Sequence, residues 1–118
     1  AFERISRFHR ELFTIRFGKN VVNLLCRDIV YLESNKRKVI VHTVRGEYEY
    51  YHKLDEAEEE LLAISADFVR IHKAYLVNME HVEAFQYEKL ALRDGTILSI
   101  SEAHRANVRS RFWEWGSE

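Results

Sequence analysis

The sequence predicts a mostly β domain with one internal acidic helix and one C-terminal helix. Short runs rich in β-branched and aromatic residues recur along the chain between turn signals. Only two segments carry apolar residues at helical spacing instead. The length of 118 residues suits a single hydrophobic core. These three observations together indicate one β-rich domain.

The first half of the chain predicts a series of strands separated by turns. The strands are marked by alternating or continuous apolar runs. They are residues 11–17, 21–25, 28–34, 38–44 and 47–51. The Gly-Lys-Asn segment at 18–20 supplies the first turn, and Arg45 with Gly46 supplies a turn that predicts a hairpin.

The strand pattern returns late in the chain, at residues 82–87 and 89–101. Asp94 and Gly95 form a dipeptide that is typical of two-residue hairpin turns, and such turns need a positive φ at the glycine. The late segment therefore predicts a further hairpin, which brings the chain to six or more short strands.

Two segments predict helices. Residues 54–64 carry apolar side chains near helical spacing, and their acids crowd into the first turns, where the helix dipole favours negative charge. A second helix follows the last strand and would end at Gly116. Ser99 and Glu102 fit a capping box, with Ser101 as the alternative cap. One face of this helix would carry Ala103, Ala106, Phe112 and Trp113.

Charge is unevenly distributed, although the net charge is only −1. Residues 55–60 hold five acids, and without them the remaining chain has a net charge of +4. The bases cluster at residues 35–45, 70–73 and 104–111, and none of these clusters contains an acid. Local basic patches of this kind can bind a polyanion even in a balanced chain. Each run taken alone is equally typical of a solvated face.

The sequence offers no catalytic or metal-binding motif. None of the six histidines forms an HExxH motif or pairs with a cysteine at zinc spacing, and no GxGxxG, Walker or GxSxG motif occurs. Cys26 follows an apolar segment and is predicted to be a small core residue. We therefore expect neither an enzyme nor a cofactor. A single cysteine also fits a reducing compartment, so we expect a cytoplasmic protein.

Residues 68–82, FVRIHKAYLVNMEHV, combine core-forming side chains with a small basic cluster. This segment resembles the signature of LytTR-type DNA-binding domains, the output modules of LytR/AgrA-type response regulators. The matching residues are Phe68, Arg70, His72, Lys73, Tyr75, Leu76, Val77 and Asn78. Four further segments resemble the family in the same order, namely 28–34, 39–43, 54–61 and 90–101. The resemblance covers residues 12–109, nearly the whole chain.

The resemblance implies small antiparallel sheets in tandem, a LytTR-like β-sandwich, with short helices at the side. It also implies that loops, rather than a recognition helix, enter successive major grooves of duplex DNA. Phe68, Val69 and Ile71 would fix a strand in the core while the following turn presents Lys73 outward. The implied DNA-binding residues are Lys36, Arg37, Lys38, Arg70, His72, Lys73, Ser101, Glu102, His104 and Arg105.

Individual roles differ among these residues. Arg37 could contact a guanine through two hydrogen bonds, and Ser101 to Arg105 could hold a phosphate. Arg70 either faces DNA or pairs with a neighbouring acid. Glu102 stands where the family usually has a basic residue. It could cap the helix through Ser99, read a cytosine, or leave the contact to Arg105.

The resemblance implies that the function is sequence-specific duplex DNA binding by the output domain of a bacterial transcriptional response regulator of a two-component system. The expected partners are promoter DNA with repeated sites, an upstream receiver or other regulatory domain, and a second copy on DNA, without membrane contact. Residues 1–10 would be the remnant of a linker and 11–116 the domain.

The alternative is a protein-interaction or dimerisation module that uses Trp113 and Trp115. We otherwise expect Trp113 to pack against the end of the β core.

Overall fold

The computed structural model describes residues 11–116, which form ten strands and two α-helices. The strands are β1 (Leu12–Phe17), β2 (Asn20–Leu25), β3 (Ile29–Asn35), β4 (Lys38–Thr43), β5 (Gly46–Tyr51), β6 (Phe68–His72), β7 (Tyr75–Asn78), β8 (Val82–Phe85), β9 (Lys89–Leu92) and β10 (Ile97–Ser99). The helices are α1 (Leu54–Leu62) and α2 (Arg105–Gly116). The predicted mostly β fold with two helices is confirmed. The predicted linker at 1–10 lies outside the described residues.

The strands form three antiparallel sheets, as the resemblance implies. The central sheet has five strands in the order β5-β4-β3-β7-β6, and it lies between the two-stranded sheet β1-β2 and the three-stranded sheet β8-β9-β10. No helix of residues 11–116 has the length and apolar content needed to cross a membrane.

The core consists of two clusters on opposite faces of the central sheet. The first cluster joins that sheet to β1, β2 and α1, and the second joins it to β8–β10 and α2. Successive residues of a strand point to opposite faces, so Phe68 of β6 packs in the first cluster while Val69 packs in the second. Arg70 therefore lies on the same face as Phe68, toward α1.

A buried asparagine connects β7 to the start of β3. Asn78 is 1% exposed, and its side-chain nitrogen donates to the carbonyls of Cys26 (3.2 Å) and Ile29 (2.9 Å). Its side-chain oxygen accepts from the backbone nitrogen of Glu80 at 3.0 Å. The carbonyls of Cys26 and Ile29, at the two ends of the 3₁₀ turn Cys26–Asp28, are thus satisfied inside the core. Cys26 is itself buried, as predicted.

The β9-β10 hairpin differs from the prediction in its length. The backbone nitrogen of Leu92 donates to the Thr96 carbonyl at 2.8 Å, which leaves three residues in the loop rather than two. Gly95 then donates back to Leu92 at 2.9 Å and has a φ of +95°, so its predicted positive φ is confirmed. A three-residue loop with glycine at this position is the next most common hairpin connection.

The start of the C-terminal helix also corrects the prediction. Ser99 still belongs to β10, where it pairs with Lys89, so the capping box of Ser99 and Glu102 does not form. Ser101 instead precedes a 3₁₀ turn, Glu102–His104, and α2 begins only at Arg105. Sheet pairing with the preceding strand, β9, has overridden a local capping signal.

Because α2 begins later than predicted, its buried face differs from the predicted one. Val108 is fully buried, and Phe112, one turn later, stacks on Phe85 at 4.8 Å between ring centroids. The prediction for Phe112 is confirmed, whereas Ala103 and Ala106 are exposed. Trp113 is 80% exposed, so its predicted packing against the core is wrong.

Candidate nucleic-acid interface

Two of the predicted contact loops lie side by side at one edge of the central sheet. Lys36 and Arg37 connect β3 to β4, and Lys73 and Ala74 connect β6 to β7. Because β3 and β7 are antiparallel neighbours, the end of β3 lies beside the start of β7. The backbone nitrogen of Ser34 donates to the Ala74 carbonyl at 2.9 Å, which joins the end of β3 to the second turn.

The third predicted segment adjoins the end of β6. The backbone nitrogen of Ser101 donates to the Ile71 carbonyl at 2.9 Å, so the residues after β10 run beside the turn that carries Lys73. The Ser101 hydroxyl and His104 Nδ1 are 2.6 Å apart, which fixes the ring within the 3₁₀ turn. The structure therefore brings all three predicted segments to one edge of the domain, which we call the loop edge.

A groove of about 840 Å³ separates the first two turns from the start of α1. Lys36, Arg37 and Lys73 line it from the loops, while Asp55 and Glu56 line it from the helix. The groove thus has a basic side formed by the turns and an acidic side formed by the first residues of α1.

Three basic side chains of the loop edge face solvent. Lys36, Arg37 and Lys73 are exposed, and none of them takes part in an ion pair with any residue in the 11–116 range. Lys36 has a φ of +61°, an uncommon value for a residue with a side chain. A tight two-residue turn therefore displays adjacent basic groups on a backbone that the flanking strands hold.

Lys38 is oriented differently from its neighbours. Its Nζ lies 3.1 Å from Glu49 Oε1 on β5 and 4.9 Å from the centroid of the Tyr51 ring. The hydrogen bond and charge of Glu49, with a smaller effect from Tyr51, raise the pKa of Lys38. Lys38 is thus engaged along the sheet rather than directed to the groove.

Arg70 is the most highly engaged cation of the loop edge. Its side chain is 12% exposed, and Nη1 lies 2.7 Å from Asp55 Oδ1 and 2.8 Å from Glu58 Oε1 on α1. Nε donates to the His72 carbonyl at 2.7 Å, and Nη2 donates to the Lys73 carbonyl at 2.6 Å. The predicted alternative that Arg70 pairs with an acid is confirmed, and direct DNA contact by Arg70 stays a prediction.

His72 contributes little positive charge near neutral pH. Its Nδ1 accepts a hydrogen bond from the backbone nitrogen of Ala74 at 3.1 Å, and this bond requires an unprotonated nitrogen. Burial lowers the pKa of His72 below its usual 6.5, with further lowering by Lys73, His104 and Arg70. The histidine therefore shapes the Lys73 turn as a hydrogen-bond acceptor.

The residues after Ser101 differ in their exposure and contacts. Glu102 is exposed at the start of the 3₁₀ turn. Arg105 donates from Nε to the Ile100 carbonyl at 3.2 Å, and its guanidinium lies 5.7 Å from the Tyr87 ring centroid. Arg109 approaches the same ring at 5.4 Å. Tyr87 thus contacts two arginines of the basic cluster at 104–111, and the sequence pattern did not indicate this contact.

The acidic partners of Arg70 were also missed by sequence reasoning. The helix dipole alone is enough to account for the acids of residues 55–60 in the sequence. Asp55 and Glu58 are three positions apart and therefore share one side of α1. That spacing was a usable signal, since both residues face the same guanidinium.

Comparisons with known proteins agree with this architecture. A family model described as the LytTr DNA-binding domain matches residues 19–113. Sensory transduction protein LytT of Bacillus subtilis (strain 168) is 23% identical over an alignment of 112 residues, and the match covers 91% of this chain and 46% of that protein. The chain spans about half the length of this curated relative.

A solved structure extends the comparison to the fold. It is the LytTr DNA-binding domain of a methyl-accepting/DNA response regulator from Bacillus cereus, with a TM-score of 0.72 and 19% sequence identity. The match covers 87% of this chain and 97% of that chain. The family is one of DNA-binding domains rather than a class of enzymes. With most of its length matched by the family model, this chain belongs to the LytTr DNA-binding domain family.

Proposed function

We propose that this domain binds duplex DNA sequence-specifically and acts as the output domain of a bacterial transcriptional response regulator. The observation that carries the proposal is the arrangement of the loop edge. Two strand-held turns present the exposed side chains of Lys36, Arg37 and Lys73 next to each other, with Ser101–His104 beside them. Preorganised loops can contact base edges without a large ordering cost.

The roles within this edge follow from side-chain chemistry. Arg37 has a planar fork that suits the O6 and N7 acceptors of guanine in the major groove. Lys73 has a flexible ammonium group that suits a base edge or a phosphate. Lys36 and the segment from Ser101 to Arg105 would contact the phosphates of the DNA backbone, and His72 and His104 would support their turns. Lys38 would add positive charge beside them while it stays paired with Glu49. The loops would enter successive major grooves.

The wider context of the domain belongs to the same proposal. The match with a sensory transduction protein more than twice as long supports an upstream receiver or other regulatory domain. We also propose that the domain binds repeated promoter sites, forms a dimer on DNA and is located in the cytoplasm.

The proposal is tested by selecting duplexes from a randomised library and measuring affinity at several salt concentrations. Lys73→Ala and Arg37→Ala should each weaken binding to the selected duplex, by about 1–3 kcal/mol if the contact is to a base. If the contact is to a phosphate, the loss should be equal for all duplexes and the salt slope should fall by about one.

The matched control is Arg45→Ala, because Arg45 lies in the turn at the opposite end of β4 and is 80% exposed. This variant should bind like the parent. Parent-like affinity of both Lys73→Ala and Arg37→Ala, in folded protein, would reject the loop edge as the binding face.

A second candidate function is a protein-interaction or dimerisation module. The observation that favours it is the 80% exposure of Trp113 on α2, since a large exposed aromatic is typical of an interface. In that case the domain would bind no duplex at low salt. It would form a complex that Trp113→Ala dissociates in sedimentation experiments.

A further inference from the structure

We infer that two carboxylates of α1, Asp55 and Glu58, are positioning residues for DNA recognition, although their charge opposes DNA. They hold the Arg70 guanidinium, and Arg70 holds the backbone of the turn that presents Lys73. The inference rests on the proposed function and adds to it two residues that contact no DNA themselves.

The first step is the contact between Arg70 and the turn. Nε and Nη2 donate to two successive carbonyls, those of His72 at 2.7 Å and Lys73 at 2.6 Å. The pairing of β6 with β7 shifts register between Arg70 and His72, so regular ladder bonds are interrupted just before the turn. The planar Arg70 guanidinium therefore supports the backbone of His72 and Lys73 directly after this irregularity in the ladder.

The second step is the contact between Arg70 and α1. Nη1 lies 2.7 Å from Asp55 Oδ1 and 2.8 Å from Glu58 Oε1. The side chain of Asp55 is 84% exposed and that of Glu58 is 28% exposed. Water and salt screen the Asp55 pair more strongly, so Glu58 is the principal anchor. Without Glu58, the guanidinium could turn toward solvent or a DNA phosphate and release the two carbonyls.

The place of α1 in the fold depends on apolar contacts and not on the ion pairs with Arg70. α1 is attached to the core by Leu54, Ala57 and Leu61, each of which is 4% exposed or less. The helix therefore does not depend on its ion pairs with Arg70 for its place in the fold. Loss of Glu58 should alter the geometry of the Lys73 turn while the domain stays folded.

A positioning role for Glu58 predicts an effect on DNA binding that is opposite in sign to the effect of its charge alone. Removing a negative charge near a DNA-binding face ordinarily strengthens binding to every duplex, because repulsion by the phosphates falls. Removing Glu58 should instead weaken binding to the selected duplex, because Lys73 is no longer held toward its base. Binding to an unrelated duplex should stay the same or become tighter.

The experiment compares Glu58→Ala with Glu59→Ala, its exposed neighbour on the same helix. Both variants lose one negative charge from α1. Glu58→Ala should lower affinity for the selected duplex by about tenfold. The corresponding free energy lies within the range expected for the loss of one base contact. Glu59→Ala should leave affinity unchanged or raise it. Identical behaviour of the two variants would overturn the inference.

Two further measurements keep the test decisive. Asp55→Asn removes a mostly exposed partner, so it should fold normally and give a smaller loss of the same sign. Arg70→Lys should lose specificity as Glu58→Ala does, and the double variant should lose little more than either single variant. If Arg70 instead contacts DNA directly, Glu58→Ala should tighten binding to all duplexes, and the inference is wrong.

Failure of the inference can be distinguished from failure of the proposed function. If the parent protein enriches no sequence from the randomised library, the proposed function itself fails. If the parent prefers a selected duplex and Glu58→Ala keeps that preference in full, only the positioning role fails.

Discussion

Asn78 provides the clearest test of how the core is held together. Asn78→Ala removes three hydrogen bonds, with Cys26, Ile29 and Glu80, from a side chain that is 1% exposed. At about 1 kcal/mol for each net hydrogen bond, the free energy of unfolding should fall by about 3 kcal/mol. Ile29 is fully buried, so water cannot readily replace the lost donor there.

The effect can be measured by urea and thermal unfolding. For a domain of this size, 3 kcal/mol corresponds to a fall in Tm of roughly 10 °C. Asn78→Asp should be at least as unstable at neutral pH, because a buried carboxylate would face the carbonyls of Cys26 and Ile29. Asn107→Ala, an exposed change on α2, is the control and should cost nothing. The reasoning is refuted if Asn78→Ala unfolds at the same urea concentration as Asn107→Ala.

Three other outcomes follow from single residues. Gly95→Val should lower the free energy of unfolding by about 1 kcal/mol or more, because valine is strained at a φ of +95°; an unchanged thermal melt would contradict this. Burial, with smaller effects from Glu11 and Asp67, raises the pKa of Cys26 to about 11. Folded protein at pH 8 should therefore react far more slowly with a thiol reagent than protein in urea, and equal rates would count against the buried thiol. Glu102→Arg should tighten binding to many duplexes by adding charge and removing repulsion, whereas a loss confined to the selected duplex would indicate that Glu102 reads a cytosine.

Local patterns in the sequence predict most of the fold. Alternation and β propensity identify the strands of the first half, and apolar spacing identifies α1, because each depends on neighbours in the chain. The start of α2 was not predictable in this way. Ser99 satisfies a capping pattern locally, yet its pairing with Lys89 keeps it in β10. The buried face of α2 therefore differs from the predicted one, and Trp113 is exposed instead of packed against the core.

The loop edge was predictable in its parts but not in its internal contacts. Lys36, Arg37 and Lys73 stand in turns between strands, and family resemblance indicated all of them. The ion pairs of Arg70 with α1 depend on the packing of a helix against β6, which no spacing within residues 68–82 reveals. The basic cluster at residues 70–73 thus contains three different groups. Lys73 is exposed, Arg70 is bonded to the backbone of the turn, and His72 is neutral near pH 7.

The most direct test of the loop edge is amide chemical-shift mapping of the domain with a duplex selected from a randomised library. The account predicts that shifts concentrate at residues 36–37, 73–74 and 101–104. Residues 27 and 44–45, at the opposite end of the central sheet, should change little. Shifts centred on those opposite turns, or on the exposed Trp113 face of α2, would contradict the assignment of the loop edge as the DNA-binding surface.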